Sequence, residues 1–323
     1  MAEAVLEVED LHTYFFNRRG VLKAVDGVSF TLYRGETLGL VGESGCGKSM
    51  TALSIVRLVP RPAARIVRGQ VRLRGEDLLA KSEREMRQVR GRRIAMILQD
   101  PQASLNPVFT IGNQLVEAFA VQRRWPRRRL WTLAAEALRH VKVPEAARRL
   151  YDFPHQLSGG MKQRVVGAIA LAGAPEVLIA DEPTTALDVT IQLQFLRLLK
   201  ELQAETQMAM LFITHDFGIV ARLCDRVAVM YAGRIVEQGP VRAVFRQPAH
   251  PYTQALMASV PRLDVKVDTL ATIEGQPPAL DALPEGCRFA PRCPYVERRC
   301  QQAYPPMVPL QADHAAACWR LEG

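Results

Sequence analysis

Gly42-Glu43-Ser44-Gly45-Cys46-Gly47-Lys48-Ser49 sets two glycines, a lysine and a hydroxyl at the spacing G-x-x-x-x-G-K-S/T. The chemistry this supports is capture of a nucleoside triphosphate. Successive backbone N–H groups wrap the phosphates at a helix N-terminus, Lys48 reaches the β- and γ-phosphates, and the Ser49 hydroxyl ligates Mg²⁺. The flanks agree: the apolar strand Thr37-Leu38-Gly39-Leu40-Val41 leads in, and a helical run from about Ser49 through Val59 leads out. A glycine turn feeding a helix is the bland alternative.

A second group of residues supplies acid–base chemistry. Val177-Leu178-Ile179-Ala180-Asp181-Glu182 is an apolar strand ending in two carboxylates. Asp181 at the tip can hold Mg²⁺ through its water shell, and Glu182 can polarise an attacking water. Leu157-Ser158-Gly159-Gly160-Met161 opens another helix, where free N–H groups and the dipole make an anion site. An ordinary N-cap at Ser158 is the structural alternative.

The elements that must position these residues alternate. Val5–Val8 and Val28–Leu32 are expected as paired strands, with further strands at Gln70–Leu73 and Ile94–Leu98. From Ile111 to about Leu150 the apolar spacing turns helical. There follow helix 158–173, strand Val177–Ala180, helix 189–206, strand Met210–Thr214, helix 216–223, and strands near Val227–Tyr231 and Arg234–Glu237. Alternation of this kind implies an α/β fold with a largely parallel sheet and ligands at the strands' C-terminal ends, where Lys48 and Asp181 both fall. After Phe245 the periodicity fades and Pro and Cys dominate, which marks a small C-terminal module.

Composition narrows the function classes. With 323 residues and 48% hydrophobic content there is core enough for one large domain and a small one. The longest apolar stretch, Val165 to Ala180, is broken by Gly173, Pro175 and Glu176, so no bilayer span is expected. The acidic N-terminus MAEAVLEVED lacks an apolar signal core, and a cytosolic protein is expected. The net charge of +9 would suit nucleic acid or an anionic leaflet. Its one dense run, Arg123-Arg124-Trp125-Pro126-Arg127-Arg128-Arg129, reads as a solvated helix or loop face.

Together these motifs resemble the nucleotide-binding subunit of an ABC transporter. Gly42–Ser49 is similar to the Walker A loop, Val177–Asp181 to the Walker B strand followed by the catalytic Glu182, and Leu157–Met161 to the LSGGQ signature, with Met161 in place of Gln. Ala186-Leu187-Asp188 resembles the D-loop, Gln99 sits at the Q-loop position and His215 at the switch histidine. The fold so implied is a P-loop NTPase cassette. It has a RecA-like mixed sheet core and a helical subdomain over about 104–156, within a domain spanning 1–245. The resemblance further implies that ATP is sandwiched between one subunit's Gly42–Met50 segment and a partner's Ser158, Gly159, Gly160 and Asp188. Ser49, Gln99 and Asp181 serve Mg²⁺, Glu182 orients water, His215 senses the γ-phosphate, and Gln99 relays nucleotide state to a permease helix. Phe15 is the choice for the aromatic stacked on adenine, with Tyr14 and Phe16 as alternatives.

The subclass is marked by Gln99–Pro107, Ala180–Thr190, His250-Pro251-Tyr252-Thr253 and Gly286–Pro294, which resemble the dipeptide and oligopeptide importer branch, close to nickel importers. The Ala-Asp-Glu-Pro-Thr-Thr version resembles the first of the branch's two ATPase subunits. Implied partners are a second, different ATPase subunit, two permease subunits and, indirectly, a solute-binding protein. The implied location is the cytoplasmic face of the inner membrane. Soluble ABC ATPases acting on nucleic acid or ribosomes are the rival class; they typically carry coiled-coil insertions or tandem cassettes, and no nucleic acid partner is expected here.

Within residues 246–323, Cys287, Cys293, Cys300 and Cys318 lie in a segment rich in proline, eight of them between positions 276 and 309. Such a segment buries little core by itself and needs a staple, and a reducing compartment disfavours disulfides, which leaves a metal centre. Gaps of five, six and seventeen residues suit neither a zinc knuckle nor a ferredoxin well. The family resemblance implies a 4Fe–4S cluster, with Zn²⁺ as the alternative. Arg288, Arg292, Arg298 and Arg299 are expected to offset the thiolate charge.

Overall fold

The computed structural model describes residues 3–18, 20–122, 125–185, 187–259, 272–311 and 313–322. Arg123 and Arg124 of the basic run, and Ala186 of the Ala-Leu-Asp segment, lie outside them. Twelve strands are described: β1 Ala4–Asn17, β2 Gly20–Tyr33, β3 Thr37–Val41, β4 Ala64–Leu73, β5 Glu76–Asp77, β6 Ile94–Ile97, β7 Val177–Asp181, β8 Ala209–Thr214, β9 Arg226–Tyr231, β10 Arg234–Pro240, β11 Val308–Gln311 and β12 His314–Ala316. The chain divides into two compact units.

One unit comprises residues 6–31, 37–79 and 213–323. It carries the sheet β2-β1-β4-β5 and the strand run β11-β12-β10-β9-β3. Strands β3 and β9 pair in parallel, Leu38 opposite Arg226 through Val41 opposite Val229. Every residue of β3 is buried, as a strand covered on both faces requires. Strands β9 and β10 form an antiparallel hairpin whose two turn residues, Ala232 and Gly233, both have positive φ, as the twist of a tight hairpin demands. The helix after the phosphate loop runs Lys48–Ile55, ending before the expected Val59.

The C-terminal segment belongs to this same unit. Its strand β12 pairs with β10, Ala316 opposite Glu237. Phe289 is buried against Tyr231, Tyr252 and His250, with ring centroids 5.3, 5.4 and 5.8 Å apart. Buried Glu237 accepts from the Ala249 and His250 N–H groups, each at 2.9 Å, and its carboxylate meets His314 Nε2 at 2.9 Å. These contacts replace the core that a Pro-rich segment cannot build within itself.

The other unit comprises residues 1–5, 32–36 and 80–212. Its strands run β8-β7-β6, with β6 and β7 parallel, Ile94 opposite Val177. The helical stretch resolves into helices Ile111–Gln122, Arg127–His140 and Ala146–Arg149. Arg127, Arg128 and Arg129 are exposed in the first turn of the second, as a solvated face predicts. Helices Gly159–Leu171 and Val189–Thr206 follow their N-caps Ser158 and Asp188. Among the described residues no helix is long and apolar enough to cross a membrane.

Candidate functional site

The phosphate loop is built by steric exclusion. At Gly42 a Cβ would sit 2.1 Å from the Met230 carbonyl oxygen, and at Gly47, φ 112°, it would sit 2.2 Å from the Ala24 carbonyl oxygen. Only glycine fits either place. Lys48 is buried, and its Nζ donates to the Gly42 and Glu43 carbonyls at 2.8 and 3.1 Å. Ser44, Gly45 and Ser49 are exposed, Met50 is half-buried, and the first turn of the helix carries no acidic side chain to oppose an anion.

Cys46 reads from the sequence first as a small tolerated residue, with a thiolate favoured by the loop N–H groups and Lys48 as the alternative; burial pushes the thiol up, outweighing the nearby ammonium. It is a small packed residue, its Sγ 2.8 Å from where a Cβ on Gly42 would lie.

On β1, Thr13 Oγ1 and Ser54 Oγ are 2.7 Å apart, so that face meets the helix leaving the phosphate loop. Phe15, two residues on, shares that face. Tyr14 points the other way and donates to Asp26 at 2.5 Å; burial and this bond push its hydroxyl up to about 12. Phe16 is exposed, with the Arg65 guanidinium 5.5 Å from its ring centroid. Geometry thus favours Phe15 over Tyr14 for a base approaching from the loop's side. His215 is exposed after β8, beside Asp216, which caps helix Phe217–Leu223 by accepting from Gly218 and Ile219 at 2.7 and 3.2 Å.

In the other unit, Asp181 is buried at the tip of β7. Glu182 follows with φ 45°, a left-handed conformation costly for a side-chain-bearing residue and concentrated at functional sites. Gln99 Nε2 donates to its Oε2 at 3.3 Å, as does Thr185 Oγ1 at 3.2 Å. The structure so brings together Gln99 and Glu182, and adds Thr185, which sequence reasoning missed although it lies in the quoted Pro-Thr-Thr run.

Ser158 accepts from the Met161 N–H at 3.4 Å and Asp188 from the Ile191 N–H at 2.9 Å, so both act as N-caps. Gly159 is exposed. Gly160 is required by packing, because a Cβ there would lie 2.4 Å from Ile191 Cγ2 on helix Val189–Thr206. The signature glycine thus lets two helices approach while leaving the helix N-terminus open.

The four tail cysteines line one narrow, mostly apolar cavity with Phe289, Pro305 and Trp319. Burial pushes Cys287 up to about 11 and raises Cys293 and Cys318. Among the described residues no three His, Cys, Asp or Glu side chains are grouped closely enough to hold a metal ion. The expected charge offset by arginine is slight: Arg299 lowers Cys318, but burial outweighs it. Arg288 instead donates to Asp26 and the Ala232 carbonyl, Arg292 pairs with Glu43, and Arg299 with Glu297. Asp26 and Glu43 lie 262 and 249 residues from these arginines, and no local signal announces them.

A glycine-formed phosphate loop with a buried lysine, and a strand tip bearing Asp and a strained Glu, define a P-loop nucleotide-binding cassette. Comparison with known proteins sharpens this. Residues 25–185 match the ABC transporter family model, and residues 236–300 match the oligopeptide/dipeptide transporter C-terminal region. Among similar chains is the Probable peptide ABC transporter ATP-binding protein y4tR of Sinorhizobium fredii. It is 52% identical over 320 residues, 99% of this chain and 96% of the relative. The dipeptide transport ATP-binding protein DppD of Bacillus subtilis is 48% identical, over 98% of this chain and 95% of its own. The dimeric ATP-binding cassette MJ0796, solved with ADP and Pi, superposes with a TM-score of 0.66 at 25% identity. It covers 73% of this chain and 99% of its own. The chain belongs to the family of ABC transporter ATP-binding proteins that carry the oligopeptide/dipeptide C-terminal region, and it is an ATPase of that family.

Proposed function

We propose that this chain is the ATP-hydrolysing subunit that powers uptake of dipeptides or oligopeptides through a membrane permease. The observation that carries the reading is the pairing of a complete cassette with the transporter-type C-terminal region, in a chain about half identical to relatives named for peptide transport. The cassette spans 1–245, with its helical insert at about 104–156, and the C-terminal module spans 246–323. Lys48 and the loop N–H groups hold the phosphates, Phe15 stacks on adenine, and Ser49, Gln99 and Asp181 serve Mg²⁺. Glu182 takes the proton of the attacking water, held by Gln99 and Thr185, while His215 contacts the γ-phosphate. Phosphoryl transfer then depends on positioning and charge neutralisation.

Each site is completed by Ser158, Gly159, Gly160 and Asp188 or their counterparts on a second, different ATPase subunit. Two permease subunits dock on the pair at the cytoplasmic face of the inner membrane, and a solute-binding protein delivers the peptide. Alone, the purified chain is expected to hydrolyse ATP slowly. Reconstituted with its permease, partner ATPase and binding protein, it is expected to speed up on peptide addition and to move labelled dipeptide. Full activity as a demonstrated monomer overturns the shared site; nickel uptake without peptide uptake overturns the substrate.

A 4Fe–4S cluster held by Cys287, Cys293, Cys300 and Cys318 stays a proposal from the sequence. All four thiols line the tail cavity, the donor type such a cluster takes, but they are not grouped closely enough here to hold an ion. Such a group would cross-link a segment otherwise short of core, and Zn²⁺ is the other metal four thiols take. Protein purified without oxygen is expected to be brown, with iron and acid-labile sulfide that Cys300→Ser removes. Stoichiometric zinc in a colourless preparation decides for zinc, and no metal at all removes the proposal.

A further inference from the structure

Residue 43 of the phosphate loop is held at three points. Its carbonyl accepts from Lys48 Nζ at 3.1 Å, its N–H donates to Tyr252 Oη at 2.9 Å, and its carboxylate receives both Nη atoms of Arg292 at 2.7 and 3.0 Å. Two of the three partners come from beyond residue 245. The Arg292 side chain is 4% exposed, so this fork pair is shielded from solvent on its cationic side, where a bidentate geometry counts most. Arg292 is itself fixed, donating to the Ile273 and Glu274 carbonyls at 3.3 and 3.0 Å.

The same segment reaches the loop a second way. Arg288 donates to the Ala232 carbonyl, and the next residue, Gly233, donates its N–H to the Cys46 carbonyl at 2.8 Å. Arg288 follows Cys287 and Arg292 precedes Cys293. Both cysteines line the thiol cavity. Each arginine therefore ties a wall of that cavity to a residue of the phosphate loop.

We propose that Arg292 is a positioning residue of the phosphate loop, and that through it the cysteine-lined cavity and nucleotide binding are coupled. The proposal rests on the nucleotide reading of residues 42–49. Incoming phosphates compete for Lys48 Nζ and for the loop N–H groups, the Glu43 N–H among them. Residue 43 must then shift, and its carboxylate draws on Arg292 and on the strand of chain beside Cys293. Without Arg292, the Glu43 carboxylate stands next to the phosphates with its charge uncompensated. Coupling between two sites is reciprocal, so whatever nucleotide does to the cavity, the cavity does to nucleotide affinity.

The test uses the full-length chain, with equilibrium ATP binding as one readout and alkylation of Cys287 and Cys293, resolved by mass spectrometry, as the other. Arg292→Ala is expected to weaken ATP binding about tenfold, and Arg292→Lys, which keeps the charge and loses the fork, by less. Adding Glu43→Gln to Arg292→Ala is expected to restore part of the loss, a non-additivity that simple misfolding does not produce. In the wild-type chain ATP is expected to change the alkylation rate of both cysteines, and in the Arg292 variants to change it less. Wild-type ATP affinity in Arg292→Ala, strictly additive losses, or equal labelling with and without ATP each overturn the coupling. If Arg292→Ala fails to fold, Arg292→Lys and the wild-type labelling decide. A wild-type chain that binds ATP no better than Lys48→Ala overturns the nucleotide reading instead, a separate result.

Discussion

Glu182→Gln is expected to leave ATP binding intact and to lower hydrolysis in the assembled transporter by about 10²–10⁴-fold, the usual consequence of removing a general base. The residue follows the buried strand tip Asp181 and sits at φ 45°, a conformation a glutamate adopts only where the surroundings enforce it. Gln99 and Thr185 both donate to Oε2, at 3.3 and 3.2 Å, which aims the carboxylate and leaves it acceptor capacity. Glutamine keeps the volume and one carbonyl oxygen but cannot take a proton. The substitution thus separates basicity from shape. Equilibrium nucleotide binding and phosphate release, measured on the same preparation, check both halves. Turnover near the wild-type rate sinks the assignment, and lost binding moves Glu182 from the chemistry to the architecture of the site.

Much of this arrangement was legible because local rules decide it. Strand β3 and helix Val189–Thr206 fall where the pattern puts them, since buried parallel strands read as unbroken apolar runs and Asp188 marks its helix's start. The phosphate loop was legible because Gly42 and Gly47 have no substitute there. The helix after it stops early for a reason composition hides. Arg57, at φ 55°, turns the chain, and the Leu58 N–H closes on the Leu53 carbonyl at 2.8 Å, a C-cap usually announced by glycine. Least legible was the C-terminal segment. Its anchors join Arg292 to Glu43 and Arg288 to Asp26, pairs 249 and 262 residues apart. A single sequence carries no periodicity at that range, and four cysteines draw attention to metal while the arginines between them hold the segment in place.

Asp26→Ala is expected to destabilise the chain by about 3–5 kcal/mol, the cost of breaking a buried ion pair by removing one partner. The Asp26 side chain is 5% exposed and accepts from the Tyr14 hydroxyl, pairs with His12 Nδ1 at 2.9 Å, and receives Arg288 and, at 3.2 Å, Arg234. Burial alone would push its carboxyl up. The Tyr14 hydroxyl and the two guanidiniums outweigh that and hold it well below the ordinary carboxylate range. A carboxyl depressed in the folded state contributes stability fully above its unfolded pKa of about 4 and loses it as pH falls toward the folded value. The wild-type chain is therefore expected to weaken on acidification below about pH 4, and the Asp26→Ala chain, already lacking this carboxylate, to show a flatter profile there. Alanine leaves the Arg288 guanidinium, 6% exposed, with the Ala232 carbonyl but no counter-charge. Arg288 must then draw water inward or swing out, and Cys287 moves with it. Urea unfolding across pH checks both claims: a loss under about 1 kcal/mol, within the range of an exposed pair, or parallel pH profiles for the two chains would show that Asp26 does not anchor the C-terminal segment.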